Sequence, residues 1–143
     1  MSNKQHPSGL SAEQINEMLT LARQVAERSY SPYSKFRVGA SILLEDGSIF
    51  TGCNVENASY RLTTCAEQTA IAKAISEVGP KIRLRAVAVA NLNGAASMPC
   101  GACRQTLLEF GSPETWIFFP GEDGAAEVSL ADLIPYGFHL AHD

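Results

Sequence analysis

The spacing of apolar positions changes several times along the chain, and each change marks an element. Ile15, Leu19, Ala22, Val25 and Ala26 recur at intervals that place them on one helix face. Ser11 and Gln14 precede most of this run as a capping box, so a helix is expected from there to about Arg28. Ser31-Pro32-Tyr33-Ser34 breaks it. Two apolar runs, Val38 to Leu44 and Ile49 to Gly52, flank Glu45-Asp46-Gly47-Ser48, and an Asp-Gly pair between such runs signals a hairpin. Thr64 to Val78 returns to helical spacing and stops at Gly79-Pro80. Leu84 to Ala90 reads as a buried strand, Cys100 to Phe110 as a third helix, and Trp116 to Phe119 as a short aromatic strand. A weaker strand near Val128 and a helical turn from Ser129 to Leu133 close the pattern.

Helices interleaved with strands predict an α/β domain, a three-layer α/β/α sandwich around a mixed sheet. Strands joined through the second and third helices are expected to run parallel. In such sheets function gathers where strand ends meet helix N-termini.

A length of 143 residues suits one core, and the boundaries expected are a loose tail over 1–10 and a single domain over 11–143. No apolar run approaches the ~20 residues that span a bilayer, which argues against a membrane partner. The N-terminus is polar and lacks the apolar stretch of a secretory signal, so a cytoplasmic location is expected. There the four cysteines read as metal ligands or redox groups rather than disulfides. A net charge of -4 disfavours nucleic acid as a partner.

Cys100 and Cys103 are spaced to share a helix face and could point at one ion. The same pair could be a redox couple or two packed thiols. Cys65 also opens a helix and is the natural third ligand. Three thiolates and a water would make an open, catalytic zinc site, whereas Cys53 as a fourth ligand would make a closed, structural one. Glu67 follows Cys65 by two positions. It completes a capping box with Thr64, yet a carboxylate there could also hang beside the metal and move protons.

Cys65-Ala66-Glu67 followed by Pro99-Cys100-Gly101-Ala102-Cys103-Arg104-Gln105 resembles the zinc-dependent cytidine deaminases. The segments Ser31 to Ala40 and Gly52 to Tyr60 are similar to the short, homotetrameric nucleoside deaminases, and the order holds from about residue 15 to Phe138. This resemblance implies a mixed five-stranded sheet between helices. It implies one Zn2+ per subunit on Cys65, Cys100 and Cys103, with Cys53 a packed thiol. Water activated there attacks C4 of cytidine or 2′-deoxycytidine, Glu67 carries protons to N3, and ammonia leaves, a reaction of pyrimidine salvage. Asn54 and Glu56 match a pair that binds the ribose 3′-hydroxyl. Phe36 matches an aromatic packed on the nucleoside, and the Ala66 backbone helps hold the base. Ala58, Tyr60 and Phe138 match residues lent to a neighbour's pocket in a homotetramer with shared active sites.

Gln68 departs from the family, which commonly has arginine there. An amide brings no charge, so the resemblance implies altered electrostatic tuning of the thiolates, with Arg104 available to offset their charge. Other readings are deamination of another cytosine nucleoside, such as blasticidin S, or a non-catalytic zinc protein.

Overall fold

The computed structural model describes residues 6–142. Its elements follow the order α1 (Ala12–Ala26), β1 (Val38–Leu44), β2 (Ile49–Cys53), α2 (Ala66–Val78), β3 (Leu84–Asn91), α3 (Gly101–Phe110), β4 (Trp116–Gly121), β5 (Gly124–Ser129) and α4 (Leu130–Leu133). Helices α1, α2 and α3 each start or end one or two residues from the expected bounds, which is the usual uncertainty of helix ends.

The five strands form one mixed sheet in the order β2-β1-β3-β4-β5. β1 pairs antiparallel with both β2 and β3, so β2 and β3 point the same way with β1 between them. β3 and β4 are parallel neighbours joined through α3. The expected hairpin is present: Gly47 turns at φ +93°, and Leu44 N–H donates to Ser48 O at 2.9 Å.

Alternation along the strands sorts the core into two layers. Ala40, Ile42, Val87, Val89, Ile117 and Phe119 face α2, α3 and α4. Leu43, Ala86, Ala88 and Phe118 face the other way, onto Met18 of α1. Leu10, only 1% exposed, belongs to that second layer. His6 adds a 2.8 Å contact with Glu127 and an edge-on contact with Trp116. Of the tail expected over 1–10, the described residues from 6 onward are packed, because burying Leu10 removes an apolar side chain from water. Residues 1–5 lie outside the described part.

Two glycines set the distance between layers. A Cβ on Gly39 would lie 1.9 Å from Ala22 O of α1, and one on Gly52 would lie 2.4 Å from Ala70 N of α2. Both obstacles are helix backbone, which cannot rotate aside. Gly52→Ala is expected to push α2 off β2 and to destabilise the fold by about 1–3 kcal/mol. Urea unfolding measures this, and an unmoved midpoint would contradict the close approach.

Candidate metal centre and active site

At one end of the sheet lie the C-terminal ends of β2 and β3 and the N-terminal end of β1. The chain leaves β2 and β3 there to enter α2 and α3. Cys65 and Cys100 are the N-cap residues of these helices, both with extended backbone (φ −76°, ψ 158° and φ −70°, ψ 170°). Cys103 lies in the first turn of α3 and is 1% exposed. The three sulfurs lie within 4.8 Å of one another and could hold a metal ion.

The donor set fits zinc. Thiolates at ~2.3 Å from a tetrahedral zinc stand ~3.8 Å apart, so these sulfurs need only small rotations to close on an ion. Soft thiolates also favour zinc over hard cations. The Cys103 thiol hydrogen-bonds Cys65 and lowers its pKa to about 7, against the opposing pull of burial and of Glu67. Cys103 is pushed up by the same contact and then by burial. One thiol of the pair is thus poised to ionise next to two helix N-termini, whose exposed N–H groups favour anions. Cys53 lies outside the cluster, in a different surface hollow with Arg28 and Lys73, and burial raises its pKa.

Beside the thiols a cavity of about 270 Å³ is lined by Phe36, Val38, Asn54, Thr63, Cys65, Ala66, Glu67, Val89, Ser97, Met98, Pro99, Cys100 and Cys103. Glu67 is 4% exposed. Burial raises its pKa, and hydrogen bonds from its own backbone N–H and the Cys103 thiol only partly oppose this. Ala66 is the first residue of α2, so its backbone N–H has no acceptor within the helix.

The capping box expected between Thr64 and Glu67 is not formed. Cys65 is the cap, and Gln68 Oε1 accepts from Cys65 N–H at 3.0 Å. Shifting the cap by one residue frees the Glu67 carboxyl for the cavity. It also gives Gln68 a local task, closing the helix start that carries Cys65; an arginine has no acceptor with which to do so. Arg104 likewise acts as a strut. Its Nε donates to Pro99 O at 2.8 Å, and its terminal nitrogens reach Leu133 O at 3.0 Å and Met98 Sδ at 2.8 Å.

Asn54 reaches the cavity but is heavily engaged. Its Oδ1 accepts from Val38 N–H at 3.0 Å and from the Ser29 hydroxyl, and its Nδ2 donates to Phe36 O at 2.8 Å. One amide N–H remains for a ligand. Glu56 is outside the lining. Its carboxylate accepts from Tyr33 N–H, Ser34 N–H and the Ser34 hydroxyl, and the hydroxyl is the main reason its pKa is lowered. Ala58, Tyr60 and Phe138 also lie outside the lining; Tyr60 is 78% and Phe138 61% exposed. Phe138 is tied to α3 through its backbone, which exchanges two hydrogen bonds with the Gln105 amide.

Ser97 and Met98 were missed as cavity residues, since no periodicity marks the loop that carries them. The turn dipeptide Asn93-Gly94, with Gly94 at φ +66°, is the signal that a shaped loop stands before Pro99-Cys100.

Fold and site together define a metal-dependent hydrolytic centre set on an α/β/α sandwich. Residues 12–119 match the family described as the cytidine and deoxycytidylate deaminase zinc-binding region. The chain is 47% identical over 119 residues to the cytidine deaminase of Mycobacterium tuberculosis strain H37Rv, covering 83% of this chain and 85% of that one. It is 41% identical over 125 residues to the cytidine deaminase of Sporosarcina psychrophila, covering 87% and 90%. The crystal structure of the M. tuberculosis cytidine deaminase superimposes with a TM-score of 0.76 at 44% identity, covering 87% of this chain and 97% of that one. This chain belongs to the cytidine deaminase family.

Proposed function

We propose that the protein hydrolyses cytidine and 2′-deoxycytidine to uridine and 2′-deoxyuridine. Water adds at C4, the C4–N4 bond breaks, and the amino group leaves as ammonia. The observation that carries this reading is the buried Glu67 carboxyl sharing a small cavity with three thiols. Cys65, Cys100 and Cys103 would hold zinc, which when bound supplies a Lewis acid that makes water nucleophilic at neutral pH. Glu67 takes one proton from the attacking water and delivers it to N3, then takes the second from the new C4 hydroxyl and gives it to the departing amino nitrogen, which leaves as ammonia as C4=O forms. A carboxyl whose pKa is raised by burial suits both halves of this task.

A cavity of about 270 Å³ lies just below the usual ~300–1,000 Å³ of small-molecule sites, which favours a single nucleoside over a polymer. Phe36 offers a ring to the nucleoside, the free N–H of Ala66 suits the base, and the remaining Asn54 N–H suits a sugar hydroxyl. Glu56 serves the ribose through the 31–36 loop that it ties down. Gln68 and Arg104 influence the thiolates through helix capping and loop support.

The exposed rings of Tyr60, Tyr136 and Phe138 support a homotetramer in which Ala58, Tyr60 and Phe138 reach a neighbour's cavity. Among the described residues no helix is long and apolar enough to cross a membrane, and all four cysteines are unpaired. Both facts suit a cytoplasmic enzyme of pyrimidine salvage. Incubation with cytidine tests the reading. Loss of the cytosine absorbance with equimolar ammonia release is expected, and neither signal from zinc-loaded protein would overturn it.

A further inference from the structure

We propose that Asn93 is a positioning residue that sets the aromatic wall of the cavity by clamping the chain on both sides of Phe36. The proposal rests on the nucleoside deaminase reading and adds a residue to it.

Asn93 Nδ2 donates to Lys35 O at 2.9 Å, and its Oδ1 accepts from Arg37 N–H at 3.0 Å. One amide therefore holds the two backbone groups that bracket Phe36. Its orientation is forced, because an exchanged amide would set donor against donor and acceptor against acceptor. The segment needs such a hold: Lys35 sits at φ +61°, a conformation that residues other than glycine rarely adopt. Leu92 N–H adds a bond to Arg37 O at 3.0 Å, and Asn54 holds Phe36 O from the other side.

The hydrogen bonds continue from Asn93 to a second lining segment. Asn93 N–H donates to Asn91 Oδ1 at 3.0 Å. Asn91 Nδ2 in turn reaches Ala95 O at 2.8 Å and Ser97 Oγ at 3.1 Å. Ser97 and Met98 line the same cavity as Phe36 and lead into Cys100. Two asparagine side chains thus span from the Phe36 loop to the loop that enters α3. Asn93 itself does not line the cavity, so it acts on a nucleoside through the segments it holds: directly through the two backbone groups beside Phe36, and at one remove, through Asn91, at Ser97. Glu67 on α2 and Cys65 at its N-cap lie outside this chain of bonds, and the loop into Cys100 is held by Asn91 and not by Asn93 itself. Loss of the clamp should therefore loosen substrate binding and leave the chemical step intact.

The test uses the zinc-loaded full chain and cytidine. Asn93→Ala is expected to raise KM on the order of tenfold, as the loss of one or two net hydrogen bonds would, with kcat within about twofold. Asn93→Asp keeps the acceptor for Arg37 N–H but loses the donor to Lys35 O, and should fall between. In a Phe36→Ala background the Asn93→Ala change should have little further effect on KM, since coupled residues are not additive. Exchange of the Arg37 amide, followed by NMR, should quicken in Asn93→Ala. An unchanged KM, an equal fall in kcat alone, or additive effects with Phe36→Ala would each overturn the proposal. If the native chain fails to turn over cytidine, the deaminase reading fails and the role in catalysis falls with it. The Arg37 exchange rate then still decides whether the clamp exists.

Discussion

Glu67→Gln is expected to lower cytidine deamination by roughly 10²–10⁴-fold, the usual worth of a positioned acid–base group, with zinc still bound. Glutamine matches the shape of glutamate and can hydrogen-bond, but it carries no proton between water, N3 and the leaving nitrogen. The thiols are untouched, so metal content should stay at one per chain. Steady-state rates beside zinc analysis check this, and a variant with near-native kcat would remove Glu67 from the proton path. The same substitution has a signature in the metal-free protein. Burial raises the folded-state pKa of Glu67 above its ordinary 4.5, so above that pH the folded chain holds a proton that the unfolded chain has lost. Stability then falls as pH rises from 4.5 through the raised folded pKa. Glu67→Gln should abolish this part of the pH dependence and leave metal-free protein more stable at neutral pH. Thermal unfolding across pH measures it.

The second large effect is expected at the metal. Cys103→Ala should weaken zinc binding by more than the ~10–100-fold that loss of a supporting contact costs, and activity should fall with it. Cys103 is the buried member of the cluster, and its hydrogen bond to Cys65 has a larger effect than that of Cys100. Its removal leaves two thiols at the N-termini of different helices. The fold should survive, because the layers that hold the sheet to its helices are built from aliphatic and aromatic residues independent of the thiols. Cys53→Ser is the control: its sulfur is outside the cluster, so zinc and activity should be kept. Stoichiometric zinc in Cys103→Ala, or metal loss in Cys53→Ser, would contradict the three-thiol assignment.

The order of elements was legible from periodicity because each helix buries one stripe and each strand alternates against two layers. The hairpin was legible from Asp46-Gly47 set between two apolar runs. The start of α2 was misread. Thr64-x-x-Glu67 and Cys65-x-x-Gln68 are both cap-like patterns one residue apart, and local sequence does not choose between them. The choice falls to packing: Gly52 lets the helix approach β2 at Ala66 and Ala70, which sets where α2 can begin. The packed segment from His6 to Leu10 was likewise hidden, since His6 meets Glu127 and Trp116 and Leu10 joins a layer drawn from α1, β1, β3 and β4.

The candidate chemistry followed the same division. Spacing alone paired Cys100 with Cys103, because one turn of helix determines that geometry. It made Cys65 the natural third ligand but left open whether Cys53 joined as a fourth, since that depends on how two strand–helix units are set side by side. The sequence by itself determined the residue types and their local spacing: thiols at helix starts, a carboxyl in the first turn, an aromatic before β1. Only the tertiary structure decided which thiols converge, that Glu67 is buried, and that Asn54, Asn91 and Asn93 spend their amides holding loops. Convergence and burial are sums over contacts between distant segments, and no local pattern carries them.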